Sequence, residues 1–414
     1  MISMTVEQIK NAAGGTLLAG DMNSAIGGIS IDSRTLSKGD LFIPVAGEHF
    51  DGHDFISQAV DKGAAAIITS RKDINISGGA AVILVEDTLK ALKDIAGYYR
   101  SLFEIPFIAV TGSNGKTTTK DMIYTVLSKK YKVLKTKGNF NNEIGLPLTI
   151  LNLDNSYDMA VIEMGMSGFG EIHSLTTIVR PKVAVITNIG VSHIEKLGSR
   201  QNILKAKMEI FDSFHEDCIA ILNGDDQLLK DIHDKFPYNI YYIGVNGTAD
   251  IKAQDIKVRG EEGVSYRVSM DNVLYDIHLK VPGAHNVYNS IIAIAVGRYF
   301  GVDMADIQNA LENFEMGDMR LNIFTTSDGI KVIDDVYNAS PDSMKAALAI
   351  LKDFEGKRKI AVLGDMLEMG EYTEKGHRQV GKMVSDYNID ILVTKGQASI
   401  FIGEEAKKSG MAKE

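Results

Sequence analysis

Four short runs of apolar, mostly β-branched residues recur through the middle of the chain: Phe107-Ile-Ala-Val110, Met159-Ala-Val-Ile162, Val183-Ala-Val-Ile186 and Ile219-Ala-Ile-Leu222. Each is apolar at consecutive positions, so as a strand each would bury both of its faces. Amphipathic stretches with helical spacing separate them. A parallel sheet covered on both sides by crossover helices satisfies both patterns, so the class is α/β.

The alternation continues on either side. Ile29-Ser-Ile31, Leu41-Phe-Ile-Pro-Val45, Ala65-Ala-Ile-Ile68 and Val82-Ile-Leu-Val85 predict strands, and a helix from about Thr88 to Leu102 precedes a break at Pro106. From Tyr238 to Val281 shorter alternating runs such as Val264-Ser-Tyr-Arg-Val268 predict an antiparallel insertion, before helical spacing returns at His285 to Phe300 and stops at Gly301. Further on, Lys331-Val-Ile-Asp334 leads to Ser340-Pro341, an N-cap residue and first-turn proline opening a helix to Leu351, and Ile360-Ala-Val-Leu363 and Ile391-Leu-Val-Thr394 continue the strand series. At roughly 150 residues per domain, 414 residues make about three domains. The expected division is a small N-terminal α/β domain at 1–103, a central P-loop-type parallel sheet with helices at 104–316 and a Rossmann-like domain at 317–414.

Composition narrows the function classes. With 45% hydrophobic and 24% charged residues the bulk of the chain is not disordered. Lys and Arg number 44 against 54 Asp and Glu, and a net charge of −10 repels polyanions, so no nucleic-acid partner is expected. The one cysteine, Cys218, cannot form an internal disulfide, which fits a reducing compartment. The longest apolar stretch, Ile291 to Val296, falls far short of the ~20 residues that span a bilayer, and the amino terminus lacks a signal-peptide pattern. The expectation is a soluble, cytoplasmic protein without membrane insertion.

The strongest local signal is Thr111-Gly-Ser-Asn-Gly-Lys-Thr-Thr118, between the strand at Phe107 and a helix with apolar Met122, Ile123, Val126 and Leu127. Gly112 and Gly115 let backbone N–H groups of Ser113, Asn114 and their neighbours face a phosphate. Lys116 adds positive charge, and the Thr117 hydroxyl at the helix start can ligate Mg²⁺. The loop is shorter than a full P-loop, and an ordinary glycine turn is its bland alternative. Glu163 ends one central strand and His193 follows another, so both fall at the carboxyl ends where open α/β sheets gather ligands. With Thr117 they make a mixed oxygen and nitrogen metal shell; alone, His193 reads as a structural histidine.

Lys207 sits four residues after Ile203 and three before Ile210, in the middle of the apolar face of a helix from Gln201 to Phe214. Burial disfavours an ammonium there, leaving it paired, neutral or modified to a carbamate, unless it snorkels at the helix edge. Asn286 and Asn289 share a face beside His285, offering amides to an adenine edge or simple helix capping. Arg320 and Asp335 lie at the entrance to the third block, where they could reach a γ-phosphate and a ribose hydroxyl or stand as solvated charges.

These pieces together resemble the Mur ligase superfamily. The resemblance spans nearly the whole chain and rests on Asp32-Ser-Arg34, Asp51-Gly-His-Asp-Phe55, Gly112 to Thr118, Asn139-Phe-Asn-Asn-Glu-Ile-Gly-Leu-Pro147, Glu163-Met-Gly-Met-Ser167, Gly283-Ala-His-Asn286, Asp335-Val-Tyr-Asn338-Ala-Ser-Pro341 and Leu363-Gly-Asp-Met-Leu-Glu368. It implies an ATP- and Mg²⁺-dependent amide ligase of peptidoglycan precursor synthesis. The missing Asp-Asn-Pro-Arg motif favours a dipeptide-adding member, acting on UDP-N-acetylmuramoyl-tripeptide and D-alanyl-D-alanine, over a diamino-acid-adding one. A folylpolyglutamate synthase and a non-catalytic nucleotide-binding module are the competing readings.

Carried over residue by residue, the resemblance implies that Gly112, Ser113, Asn114, Gly115, Lys116, Thr117 and Thr118 bind the triphosphate, with Asn286, Asn289, Arg320 and Asp335 as further ATP contacts. Thr117 and Glu163 would hold one Mg²⁺, and His193 with carbamylated Lys207 a second. Asn139 and Asn142 would lie near an acyl phosphate and Ser33 and Arg34 at the uridine diphosphate. Asn338, Asp365, Glu368 and His377 would lie on the substrate side of the third domain. A monomer is expected. The chain ends at Glu414, whereas family members usually continue through another strand and a Lys-Gly-Ser-Arg segment.

Overall fold

The computed structural model describes the chain except residue 1 and residues 48–49, 74–78, 234–235, 272, 318–320 and 413–414. Arg320, an expected ATP contact, therefore lies outside the described residues.

The first sheet has five strands in the order Thr16–Ala19, Ala81–Leu84, Ala66–Thr69, Leu41–Phe42, Ile29–Ser30, all parallel to their neighbours except the first. The strand at Thr16 has no alternating apolar signal of its own and was not anticipated. Asp87 accepts hydrogen bonds from the Leu89 and Lys90 backbone N–H groups and so starts the helix Thr88–Ser101, which hands the chain to the central strand Phe107–Thr111.

Nine strands form the central sheet: Val273–Leu279, Val264–Met270, Ile251–Val258, Asn239–Gly244, Ile219–Asn223, Val183–Ile186, Phe107–Thr111, Met159–Glu163 and Val133–Lys135, in that order. The consecutive apolar positions behave as their spacing requires. Ala109, Ile162, Ala184 and Leu222 enter one core cluster, whereas Ile108, Val110, Val161, Val185 and Ile221 enter another on the opposite face. The expected antiparallel insertion is corrected: Asn239–Gly244 pairs in parallel with Ile219–Asn223 and with Ile251–Val258, and the antiparallel strands extend this same sheet. Their alternating burial reflects one covered face, which includes Tyr266 bonded to Ser290 of the helix His285–Tyr299. That helix packs on Lys116–Leu127 and is buried almost all round. The expected helix from Gln201 to Phe214 is shorter, Arg200–Met208, and closes with a 3₁₀ turn, Glu209–Phe211.

The third region carries an antiparallel ribbon of Asn322–Thr325 with Lys331–Asp334 and a parallel pair, Ile360–Gly364 with Ile391–Lys395. Helices Pro341–Asp353, Thr373–Asp386 and Ile400–Lys408 supply Leu348, Val380, Val384, Ile402 and Ala406 to its core. Ser340 caps the first of these, accepting from Ser343 N–H with Pro341 in the first turn. Among the described residues no helix is long and apolar enough to cross a membrane.

Candidate active site

The carboxyl ends of the central strands form one rim, and the third region folds down onto it. Between them lies a cleft of about 1090 Å³, lined by Lys116, Glu163, His193, Asn289, Asp335 and Asn338 among others. The loop leaving Phe107–Thr111 forms its floor. Gly112 has φ of 149° and Gly115, which starts the next helix, φ of 79°, both in the region that favours glycine. A Cβ at Gly112 would collide with Thr187 Oγ1, and one at Gly115 would come within 2.8 Å of Asn289 Oδ1. Neighbouring strand ends hold the loop open. Ser113 N–H donates to the Asn188 carbonyl at 3.0 Å, Asn114 N–H to Asn188 Oδ1 at 3.0 Å, and Thr187 Oγ1 to the Asn114 carbonyl at 2.6 Å. Lys116 Nζ folds back over the loop onto the Gly112 carbonyl at 2.9 Å. Thr117 and Thr118 follow in the first turn of the helix.

Two contrasting electrostatic environments flank this floor. Lys207 is buried, 1% exposed, and no acid pairs with it among the described residues; burial, reinforced by Lys116, pushes its amine well below the ordinary lysine value. Burial also lowers the His193 imidazole, an effect that Glu368 opposes and that Lys207 and Lys116 reinforce. Three basic groups thus share one neighbourhood, an arrangement that favours an anion between them. On the other flank Glu163 is 1% exposed. Asn141 Nδ2 donates to its Oε1 at 2.8 Å, while its Oε2 has no hydrogen-bond partner, the nearest cation being Lys120 Nζ at 3.8 Å.

Several of the expected contact residues already have partners within the protein. Asn286 and Asn289 do not offer open amides: Asn289 Nδ2 donates to Asn286 Oδ1, Asn286 Nδ2 to the Pro282 carbonyl, and Thr119 Oγ1 to Asn289 Oδ1, a buried chain that ties two helices together. Asn289 nevertheless lines the cleft beside His285, whose imidazole burial lowers to about 4. Asn142 lines the cleft, with its Oδ1 accepting from the Ile144 and Gly145 N–H groups; Asn139 is exposed, and Asn141 is the member of that trio that reaches Glu163. His377 is fully buried, with Nε2 accepting from Met366 N–H and Nδ1 bonded to the Thr373 carbonyl, a position that shapes a loop and leaves no atom for substrate. Asp365 accepts from the Gln397 and Ser399 N–H groups. Glu368 is off the cleft and bonded to His193. Asp335 and Asn338 do line the cleft, with Asp335 also accepting from Leu321 N–H. Outside its lining, Ser33 donates to Gln58 Oε1 at 2.6 Å and Arg34 pairs with Asp32, whose carboxyl the guanidinium holds at about 2.

The sequence reading missed Lys120, although it lies one helical turn beyond Lys116 and the same spacing argument exposes it. It also missed Asp342, which lines the cleft against Gly190, and Arg200, which grips the Ile189 carbonyl. Burial raises the Asp342 carboxyl, Asp226 adding to the effect while Arg200 and Lys345 oppose it.

A strand-to-helix phosphate loop at the meeting of three α/β regions, with a basic cluster on one side and a buried carboxylate on the other, defines a nucleotide-dependent ligase of the Mur type. Residues 25–100 match the Mur ligase family catalytic domain, 110–297 the Mur ligase middle domain and 319–412 the Mur ligase glutamate ligase domain. The chain belongs to the Mur ligase family. It is 43% identical over 411 residues to the UDP-N-acetylmuramoyl-tripeptide--D-alanyl-D-alanine ligase of Bacillus subtilis (strain 168), covering 99% of this chain and 88% of the relative. Its structure is similar to that of MurF from Acinetobacter baumannii, with a TM-score of 0.92 at 33% identity over 98% of this chain and 88% of the other. MurF from Thermotoga maritima, solved in complex with ADP, gives a TM-score of 0.81 at 33% identity, covering 91% of this chain and 86% of that one.

Proposed function

We propose that this chain joins D-alanyl-D-alanine to the terminal carboxylate of UDP-N-acetylmuramoyl-tripeptide, converting ATP to ADP and phosphate, in peptidoglycan precursor synthesis. The observation that carries this reading is the basic cluster of Lys116, His193 and Lys207 gathered beside the glycine loop. An acid is activated when its oxygen attacks the γ-phosphorus and the bond to ADP breaks. The amine of the dipeptide then attacks the acyl carbon, phosphate leaves and a proton is released. Negative charge concentrates where nucleotide and carboxylate meet, so the main contribution this chain makes is to place Lys116 and the residues that would hold Mg²⁺ at that point.

Loop residues Gly112 to Thr118 wrap the triphosphate, held by Lys116 and by the N–H groups of Gly115 to Thr118, since those of Ser113 and Asn114 already donate to Asn188, and Asp335 accepts from a ribose hydroxyl. The residues fit a Mg²⁺ ion carried on ATP: Glu163 Oε2 is a buried oxygen without a hydrogen-bond partner, and Thr117 stands in the first helical turn beside the loop. Among the described residues no three His, Cys, Asp or Glu side chains form a ready cage, which suits an ion that keeps waters and phosphate oxygens and takes one or two protein ligands. When bound, that ion neutralises charge on the transferring phosphoryl group. Lys207, whose amine burial pushes well below the ordinary lysine value, is suited to carbamate formation with CO₂, and the resulting anion would sit with His193 at a second ion. Ser33 and Arg34 take the uridine diphosphate. The protein acts as a cytoplasmic monomer.

ADP release measured with each substrate omitted in turn tests this reading. The expected result is release that requires both UDP-N-acetylmuramoyl-tripeptide and D-alanyl-D-alanine and is abolished in Lys116→Ala. Release driven by a single amino acid in place of the dipeptide would overturn the substrate assignment.

A further inference from the structure

We infer that Glu368, supplied by the third domain, is a positioning residue for His193, and that the imidazole is correctly presented to the phosphate site only when that domain is docked. The inference rests on the ligase reading above for the role of His193, and on three structural observations for the role of Glu368.

First, His193 Nδ1 and Glu368 Oε2 are directly hydrogen-bonded across the domain junction. A carboxylate only accepts, so Nδ1 carries the proton and Nε2 keeps the lone pair that can face the cleft, which His193 lines and Glu368 does not. A carboxylate behind an imidazole in this way fixes both tautomer and ring orientation. Second, both residues have left-handed backbones, with φ of 64° at His193 and 58° at Glu368, unusual for residues with a Cβ. Third, the surrounding contacts hold that pairing in place. Glu195 N–H donates to the Glu368 carbonyl at 3.2 Å, Gly370 packs so closely that a Cβ would lie 3.1 Å from Glu195 Cα, and Val191 packs into the core cluster of the third domain. Two short strained segments, one from each domain, meet at the His193–Glu368 contact next to the basic cluster.

The test uses the full chain with Glu368→Ala and Glu368→Gln. Mn²⁺ is the probe, its affinity in the presence of ADP read by electron paramagnetic resonance without turnover, alongside kcat and KM for D-alanyl-D-alanine. Glu368→Ala is expected to weaken Mn²⁺ binding and to lower kcat by about 10–100-fold each, the usual effect of removing such a partner, with KM for the dipeptide little changed. Glu368→Gln, whose amide oxygen still accepts from Nδ1–H, is expected to recover most of the Mn²⁺ affinity. Unaltered Mn²⁺ affinity in Glu368→Ala overturns the inference, as does a raised KM for the dipeptide with kcat intact, which would make Glu368 a substrate contact. If the unsubstituted chain released no ADP with both substrates, the ligase reading would fail, while the Mn²⁺ measurement would still decide the role of Glu368.

Discussion

Replacing Lys207 with methionine should separate stability from activity by moving them in opposite directions. Lys207 is 1% exposed, lies on the apolar side of the helix Arg200–Met208 between Ile203 and Ile210, and has no acidic partner among the described residues. Burial already disfavours its charge and Lys116 adds to the effect. Methionine has a similar volume and flexible shape, so it fills the same space without the amine. Replacing a buried ion pair by apolar residues of like size is often neutral or stabilising by about 1–4 kcal/mol, and a buried amine without an acidic partner has no attraction to lose. In a domain of about 200 residues each kcal/mol moves the unfolding midpoint by roughly 2–4 °C. Lys207→Met should therefore melt at or above the temperature of the unsubstituted protein in differential scanning fluorimetry, while ADP release falls by about 10²–10³, the scale of losing one electrostatic group at a reacting phosphoryl. A clear drop in the midpoint would mean that the amine has a stabilising partner in the fold, and undiminished ADP release would remove Lys207 from the site. Either result refutes the reasoning.

Two further predictions rest on the loop and its rim. Gly112→Ala puts a Cβ into Thr187 Oγ1 and forces alanine to φ of 149°, so it should destabilise the protein by about 1–3 kcal/mol; the increment of about 2.7 kcal/mol that ADP at 100 times its Kd gives a binding protein should vanish with it, read as the ADP-induced shift in the midpoint. For His285, burial lowers the folded-state value from 6.5 to about 4. The unfolded chain therefore binds a proton below pH 6.5 that the folded chain refuses, and stability falls as pH drops from 6.5 to about 4 and levels off below. The loss has a ceiling of about 3 kcal/mol, because part of the side chain reaches the cleft. His285→Asn should flatten the pH dependence of urea unfolding across that window, and an unchanged slope would refute the assignment.

The parts of this molecule that were legible in the sequence are those whose signal is local. Consecutive apolar positions in Val183–Ile186 announce a strand buried on both faces because side chains alternate whatever the strand pairs with. Gly112 to Lys116 is equally self-contained, and Lys207 stands out because an amine interrupts an apolar helical face. What failed depends on the docking of distant segments. In Asn139-Phe-Asn-Asn142 three amides lie within one turn, and only the entry into the helix Gly145–Ile150 decides that Asn141 points at Glu163 while Asn142 Oδ1 accepts from the Ile144 and Gly145 N–H groups. The alternating runs after Tyr238 do read as strands, but nothing in them states that they attach to the edge of the central sheet. Glu368 has no periodic setting at all, and its role depends on where the third domain lands.

Lys120 explains how a buried carboxylate can remain open to an incoming cation. Glu163 has almost no contact with water, and an isolated ionised acid there would be strongly disfavoured. Lys120, equally buried, stands 3.8 Å from Glu163 Oε2 and 3.6 Å from Asp121 Oδ1, and Asp121 in turn binds Lys135 at 2.7 Å. At 3.8 Å the ammonium balances charge without occupying the oxygen lone pairs as a hydrogen bond would. Asn141 meanwhile fixes Oε1 at 2.8 Å, so the carboxylate cannot rotate to bring Oε2 onto Lys120 without breaking that bond. The carboxyl group is therefore held in one orientation with one oxygen unclaimed by a hydrogen bond, as the proposed Mg²⁺ requires, and the arrangement comes from residues four apart on a single helix, Lys116 proposed for the phosphates and Lys120 beside the acid.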